Sequence, residues 1–195
     1  MIDQTYIDAL GALGANSVPH SKRKLLDHLI GTHNLLKSWE TPYETCLAGL
    51  FHSIYGTVHF MNQTVSITSR KTIQDLIGQE AELLVFLFCV TDRQELFANN
   101  GCSTCTLHDI RNQTQWTGSP DILNQLLTIA LANWLEMFPY IGQELSAIEV
   151  SRNIELFETA RASFPARAID TLMRFKRIQV GQYPDASSQS NYSLW

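Results

Sequence analysis

The ten residues "AELLVFLFCV", 81–90, constrain the fold more than any other stretch. They are apolar nearly all round, so a helix made from them has no solvent face and belongs inside a bundle. A bilayer span needs about 18–20 such residues. This run is too short for one, and no longer run occurs, so the chain is expected to cross no membrane. Elsewhere the apolar residues recur at helical spacing, and no run alternates convincingly like a strand. The expected fold class is therefore all-α: one compact bundle of about six to eight helices over residues 1–180. The polar tail 181–195 ("GQYPDASSQSNYSLW") is expected to fray.

Sequence signals place the helices. The first covers about 3–13 and stops near Gly14. Ser17 and Pro19 mark the entrance of the second, whose Leu25, Leu29, Thr32 and Leu36 share a face with His28. His33, five residues on, points away from it. Pro42 opens the third, with Leu47, Leu50, Phe51 and Ile54 as its stripe and Gly56 as its stop. Gly78 divides a helix pair. Residues 94–118 have no clear period and read as a long loop, hence a lid or binding element. Ser119 as cap, Pro120 at the first position and Pro139 as stop frame a strong helix. Two more are expected over about 142–162 and 165–178.

With 195 residues, 45% apolar and 17% charged, the chain can bury a substantial core. A net charge of −5 and the shortness of Lys22–Arg23–Lys24, read as a solvated helix face, argue against nucleic-acid binding. The start "MIDQTYIDALGALG" lacks a basic signal-peptide region, so a cytoplasmic location is expected. Cys46 and Cys89 read as core residues. Cys102, Cys105 and His108 offer at most half a zinc site, and a pair of free thiols in a loop is the plainer reading.

The candidate chemistry lies in His20, His28 and His52, the last inside "AGLFHSIYGT", 48–57. Neutral imidazoles suit borderline divalent metals, here iron, manganese or zinc. Two histidines on the inner faces of packed helices can share one ion, and His20 near a helix entrance can add a third ligand. Tyr55, Thr57 and Arg70 are the candidate catalytic groups. Ser53, Asn133 and again Arg70 are the candidate ligand-binding groups, since a guanidinium meets phosphate or carboxylate bidentately.

His28 followed 24 residues later by Phe51–His52 resembles the HD superfamily of metal-dependent phosphohydrolases. Within it, the alarmone hydrolases are nearest: "RKTIQDLIGQEAELLVFLFCVTDR" and "LANWLEM" resemble their segments after the His-Asp pair. A closer resemblance over most of 19–93, and more weakly 120–138, is to an uncharacterised family of short bacterial proteins. It shares "HS…LLDHL.GT…AGLFHSIYGT…LIG..AE.L..LFC..DR". The HD resemblance implies a helical metal-binding fold, but the carboxylates are missing. The aspartate of the pair is Ser53, the late aspartate is Asn133, and the acidic pair beyond falls on Gly56 and Thr57. Ordinary alarmone hydrolysis is therefore not expected.

Three readings remain. The site is a rebuilt histidine centre, with His20 or His59 replacing a carboxylate, acting as hydrolase or oxygenase on a small phosphorylated or carboxylated molecule. Or it binds a small anion without a metal. Or it is vestigial on a partner-binding module, with Trp116, Trp134 and Trp195 as contacts. Glu82 and Glu136 lie on apolar helices, and each reads either as a missing carboxylate or as an exposed helix residue. Association of like subunits stays open.

Overall fold

The computed structural model describes residues 2–58 and 60–182. They form a mostly helical, compact bundle with two small antiparallel hairpins. The helices are α1 (Gln4–Ala12), α2 (Leu25–Ser38), α3 (Tyr43–Phe51), α4 (Arg70–Ile77), α5 (Gln79–Val90), α6 (Arg93–Ala98), α7 (Pro120–Ile141), α8 (Ala147–Thr159) and α9 (Ala166–Gln182). Nine α-helices among the described residues exceed the six to eight expected. The strands are β1 (Pro19–His20) with β2 (Arg23–Lys24), and β3 (Cys105–Asp109) with β4 (Thr114–Gly118).

Helix α5 is buried as its composition requires: Ala81, Leu84, Val85 and Leu87–Val90 are all within the core. It packs on α3, α4 and α7, while α2 packs on α3 and α7. Helix α7 is the longest among the described residues at 22 residues, and every residue from Leu126 to Trp134 is buried. No helix of the described residues is long and apolar enough to cross a membrane. Small residues let the layers close: a methyl added at Gly49 of α3 would strike the Leu36 side chain of α2.

Several local expectations are corrected. Residues 19–24 do not open α2 but form a two-residue hairpin, with Pro19 opposite Lys24 and His20 opposite Arg23. Ser21 and Lys22 at its tip have φ of 46° and 65°, the left-handed pair of a type I′ turn. Arg23 is accordingly not on a solvated helix face. The stretch 94–118 is not one long loop. It holds α6 and then β3–β4, with Cys105, Leu107 and Asp109 turned inward and Thr106 and His108 outward. Pro139 does not stop α7, which runs on to Ile141. In the last turn a proline forfeits only one main-chain bond. Gly56 does not end α3, which closes at Phe51; it turns the loop beyond, with φ of 71°. Residues 183–195 of the expected tail, and Trp195 with them, lie outside the described residues, as does His59.

Candidate metal centre

Four segments meet around two imidazoles. Helix α2 brings His28, the end of α3 brings His52, α7 brings Asn133 and Glu136, and the β1–β2 hairpin brings His20 and Arg23. His28 is fully buried and His52 is 2% exposed. Their Nε2 atoms stand 3.2 Å apart, and each is 3.0 Å from Asn133 Oδ1. The His20 ring lies over that of His28 with 4.3 Å between centroids, and its edge meets Phe60. The Phe88 ring packs edge-on against His52.

The outer nitrogens fix what the inner ones present. His52 Nδ1 is 2.7 Å from the Gly49 carbonyl, which can only accept, so Nδ1 carries the proton and the neutral ring turns a lone pair inward. His28 Nδ1 meets a carboxylate oxygen of Glu136, whose other oxygen takes the Arg23 guanidinium. Burial pushes the Glu136 carboxyl up, but Arg23 opposes that. An ionised Glu136 makes Nδ1 of His28 the donor, and Nε2 again shows a lone pair. Burial also keeps the rings neutral. It takes His28 down to about 3, with the Arg23 charge helping. His20 falls to about 3, through burial first and then the neighbouring His28 and Arg23. His52 is held well below its usual range by burial and then by His28.

The two imidazole lone pairs therefore face the Asn133 amide: with its Oδ1 turned to them no hydrogen lies among the three atoms, and with its NH₂ turned to them both rings are satisfied. In the first arrangement, three acceptors at this spacing repel unless a cation joins them. Neighbouring ligand atoms of an octahedral ion with bonds of about 2.1 Å are about 3.0 Å apart, so the donor set fits a divalent ion. His20 Nε2, Arg23 Nε and Ser53 Oγ are also buried without a hydrogen-bond partner among the described residues. No three His, Cys, Asp or Glu side chains among those residues form a metal-holding group. The converging set is two imidazoles and an amide, with His20 stacked beside it.

The other candidate groups sit elsewhere. Arg70 grips Glu82 with both its Nε and Nη2, at 2.7 and 2.8 Å, and lies over the Phe86 ring. The Tyr55 hydroxyl donates to the same carboxylate at 3.1 Å, and Gln74 Nε2 at 2.9 Å. This network shares no hydrogen bond with the histidine cluster among the described residues. Thr57 Oγ1 accepts from Phe60 N–H at 3.0 Å and closes a turn. Trp134 is core, Trp116 is half-buried on β4, and Cys102 is exposed while Cys105 is buried. His108 pairs with Glu95.

The sequence offers Glu136 only as one of two possible replacements for the missing carboxylate and gives Arg23 no place in the site. The available signal was spacing: Glu136 is three residues from Asn133, hence on the same face of α7. Its carboxylate lies where a methyl on Gly31 of α2 would go. Gly31→Ala should displace Glu136 from His28 and lower stability by about 1–3 kcal/mol, measured by urea unfolding, because Glu136 is tethered at both oxygens and cannot simply swing aside.

No curated protein and no solved structure matches the chain. Residues 9–93, which carry His20, Arg23, His28, His52 and Ser53 but stop short of Asn133 and Glu136, match the model of a family described as a domain of unknown function, DUF6817.

Proposed function

We propose that the protein is a metal-dependent enzyme of divergent HD-like architecture, acting on a small anionic molecule, with a divalent ion held by His28, His52 and Asn133. The observation that carries the reading is the meeting of two inward imidazole nitrogens and the Asn133 amide at 3.0–3.2 Å. The HD likeness is supported by position. Two histidines 24 residues apart lie on packed helices, and Asn133, at the place of the late aspartate, reaches them from α7.

A divalent ion held by His28, His52 and Asn133 would supply Lewis acidity and an acidified water. The chain's own groups prepare the site. The Gly49 carbonyl and Glu136 each hold one imidazole in the tautomer that offers Nε2. Arg23 keeps Glu136 available as acceptor. The donors are all neutral, so the ion's charge is uncompensated at the site. That favours a phosphate- or carboxylate-bearing substrate, which completes the neutralisation.

A second reading is favoured by the near-complete burial of both rings. With the Asn133 amide turned over, its NH₂ would donate to both Nε2 atoms and close a metal-free network. The protein would then be a non-catalytic binding module.

Elemental analysis separates the two. Protein purified without chelator, and again after loading with manganese, iron or zinc, is expected to carry one ion per chain. His28→Ala and His52→Ala should lose it, and Glu136→Ala should weaken it about 10–100-fold. Loaded protein should cleave members of a phosphomonoester panel that His52→Ala leaves intact. Absence of metal after all three loadings would overturn the first reading.

A further inference from the structure

His33 lies on α2 five residues beyond His28 and turns to a different part of the protein. There α1, α2 and the start of α3 enclose a half-open cavity of about 290 Å³. Its walls include Ile2, Leu47 and Cys46, and its polar groups are Asp3, His33, Lys37, Thr41 and the hydroxyls of Tyr6 and Tyr43. The volume matches the small end of ligand pockets, about 300 Å³.

The polar groups are specific in what they leave free. His33 is 5% exposed, and its Nδ1 is 2.9 Å from the Cys46 carbonyl. That carbonyl can only accept, so Nδ1 carries the hydrogen. Burial lowers the affinity of His33 for a second proton. Its Nε2 is therefore an acceptor, and it has no partner among the described residues. One turn along α2, Lys37 lines the same cavity and has no carboxylate partner among those residues. The tyrosine hydroxyls are 3.1 Å apart, so one donates to the other and one hydrogen remains to donate outward. Asp3 also lines the cavity and disfavours a dianion.

We infer that this cavity is a second small-molecule site, for a monocarboxylate with an apolar body and a hydroxyl or amino donor at its far end. The carboxylate meets Lys37 and the outward tyrosine hydroxyl, the donor meets His33 Nε2, and the body lies between Ile2 and Leu47. The site shares none of its lining residues with the histidine centre and does not rest on the metal reading.

The test uses the full chain and three probes of one shape: para-hydroxyphenylacetate, phenylacetate and para-hydroxybenzyl alcohol. Saturable shifts of the Leu47 methyl and Cys46 amide NMR signals are expected, tightest for para-hydroxyphenylacetate. Lys37→Met should weaken both carboxylates about tenfold, as loss of one charge-assisted bond does, and leave the alcohol unchanged. His33→Asn keeps a donor for the Cys46 carbonyl and removes the Nε2 acceptor. It should make para-hydroxyphenylacetate and phenylacetate bind alike. His28→Ala should change none of this. The inference is overturned if no probe gives saturable shifts, or if Lys37→Met leaves all three affinities unaltered.

Discussion

Stability should fall steeply as pH drops from about 6.5 to about 5, before most carboxylates titrate. The cause is the histidine centre. His28 keeps a pKa of about 3 against an ordinary 6.5, and His52 is also held well below 6.5. Between the folded and unfolded values the unfolded chain binds the extra protons, so lowering the pH favours unfolding. Stability is complete above the unfolded value and is lost progressively toward the folded one. The slope approaches about 1.4 kcal/mol per pH unit for each such group once the unfolded histidine is protonated, and His20, also taken down to about 3, adds to His28 and His52. Protons also compete with a metal for the same lone pairs, which steepens the trend in metal-loaded protein. Urea midpoints across the pH range measure it. His52→Asn keeps a donor for the Gly49 carbonyl and removes one titrating group, so its profile should be less steep. A wild-type midpoint that stays level from neutrality to about pH 5 would show that these rings take up protons in the folded state.

Helices α2, α3, α5 and α7 were legible because each has a local signature: a fully apolar run, an apolar stripe or a proline at the first position. The β1–β2 hairpin was not. Its turn places Ser21 and Lys22 at positive φ, where the usual signal is Asn-Gly. The tertiary neighbours that stabilise this turn are remote: Glu136, which holds Arg23, and Tyr140, whose ring lies under the Arg23 guanidinium. The β3–β4 hairpin did carry a signal, since Cys105-Thr-Leu-His-Asp109 alternates buried and outward positions. Five residues of alternation inside a polar stretch do not stand out beside strong helical periods.

The site divides the same way. Imidazoles spaced along two amphipathic helices can be assigned to inner faces from the sequence, and His28 and His52 do meet. Spacing does not reveal which carboxylates are buried. Glu82 and Glu136 look like exposed helix residues by composition, yet Glu82 is fully buried and the Glu136 side chain is 10% exposed. Both are buried because each has an arginine partner, Arg70 or Arg23, that lies outside its own helix. Pairing of this kind is a property of the fold and leaves no mark on local periodicity. It also explains why Arg70 and Tyr55, grouped with the histidines by the sequence, gather around Glu82 instead.

That second carboxylate carries the other large expected effect. Arg70→Met should lower unfolding stability by about 3 kcal/mol in urea denaturation, because it leaves Glu82 in the core without its counter-ion. The figure is at the low end for a broken buried pair. Arg70 is 30% exposed, and Tyr55 and Gln74 still donate to the carboxylate. Tyr55→Phe removes one neutral donor and should cost about 1 kcal/mol. The double variant Arg70→Met with Glu82→Leu should recover most of the loss, since an apolar side chain of similar size needs no partner in the core. The network also ties α4 to α5 and to the turn after α3, through Tyr55, three residues beyond His52. On the proposed metal reading, metal affinity should therefore fall in Arg70→Met and return in the double variant. If Arg70→Met lies within about 0.5 kcal/mol of wild type, the pair is not what holds the turn.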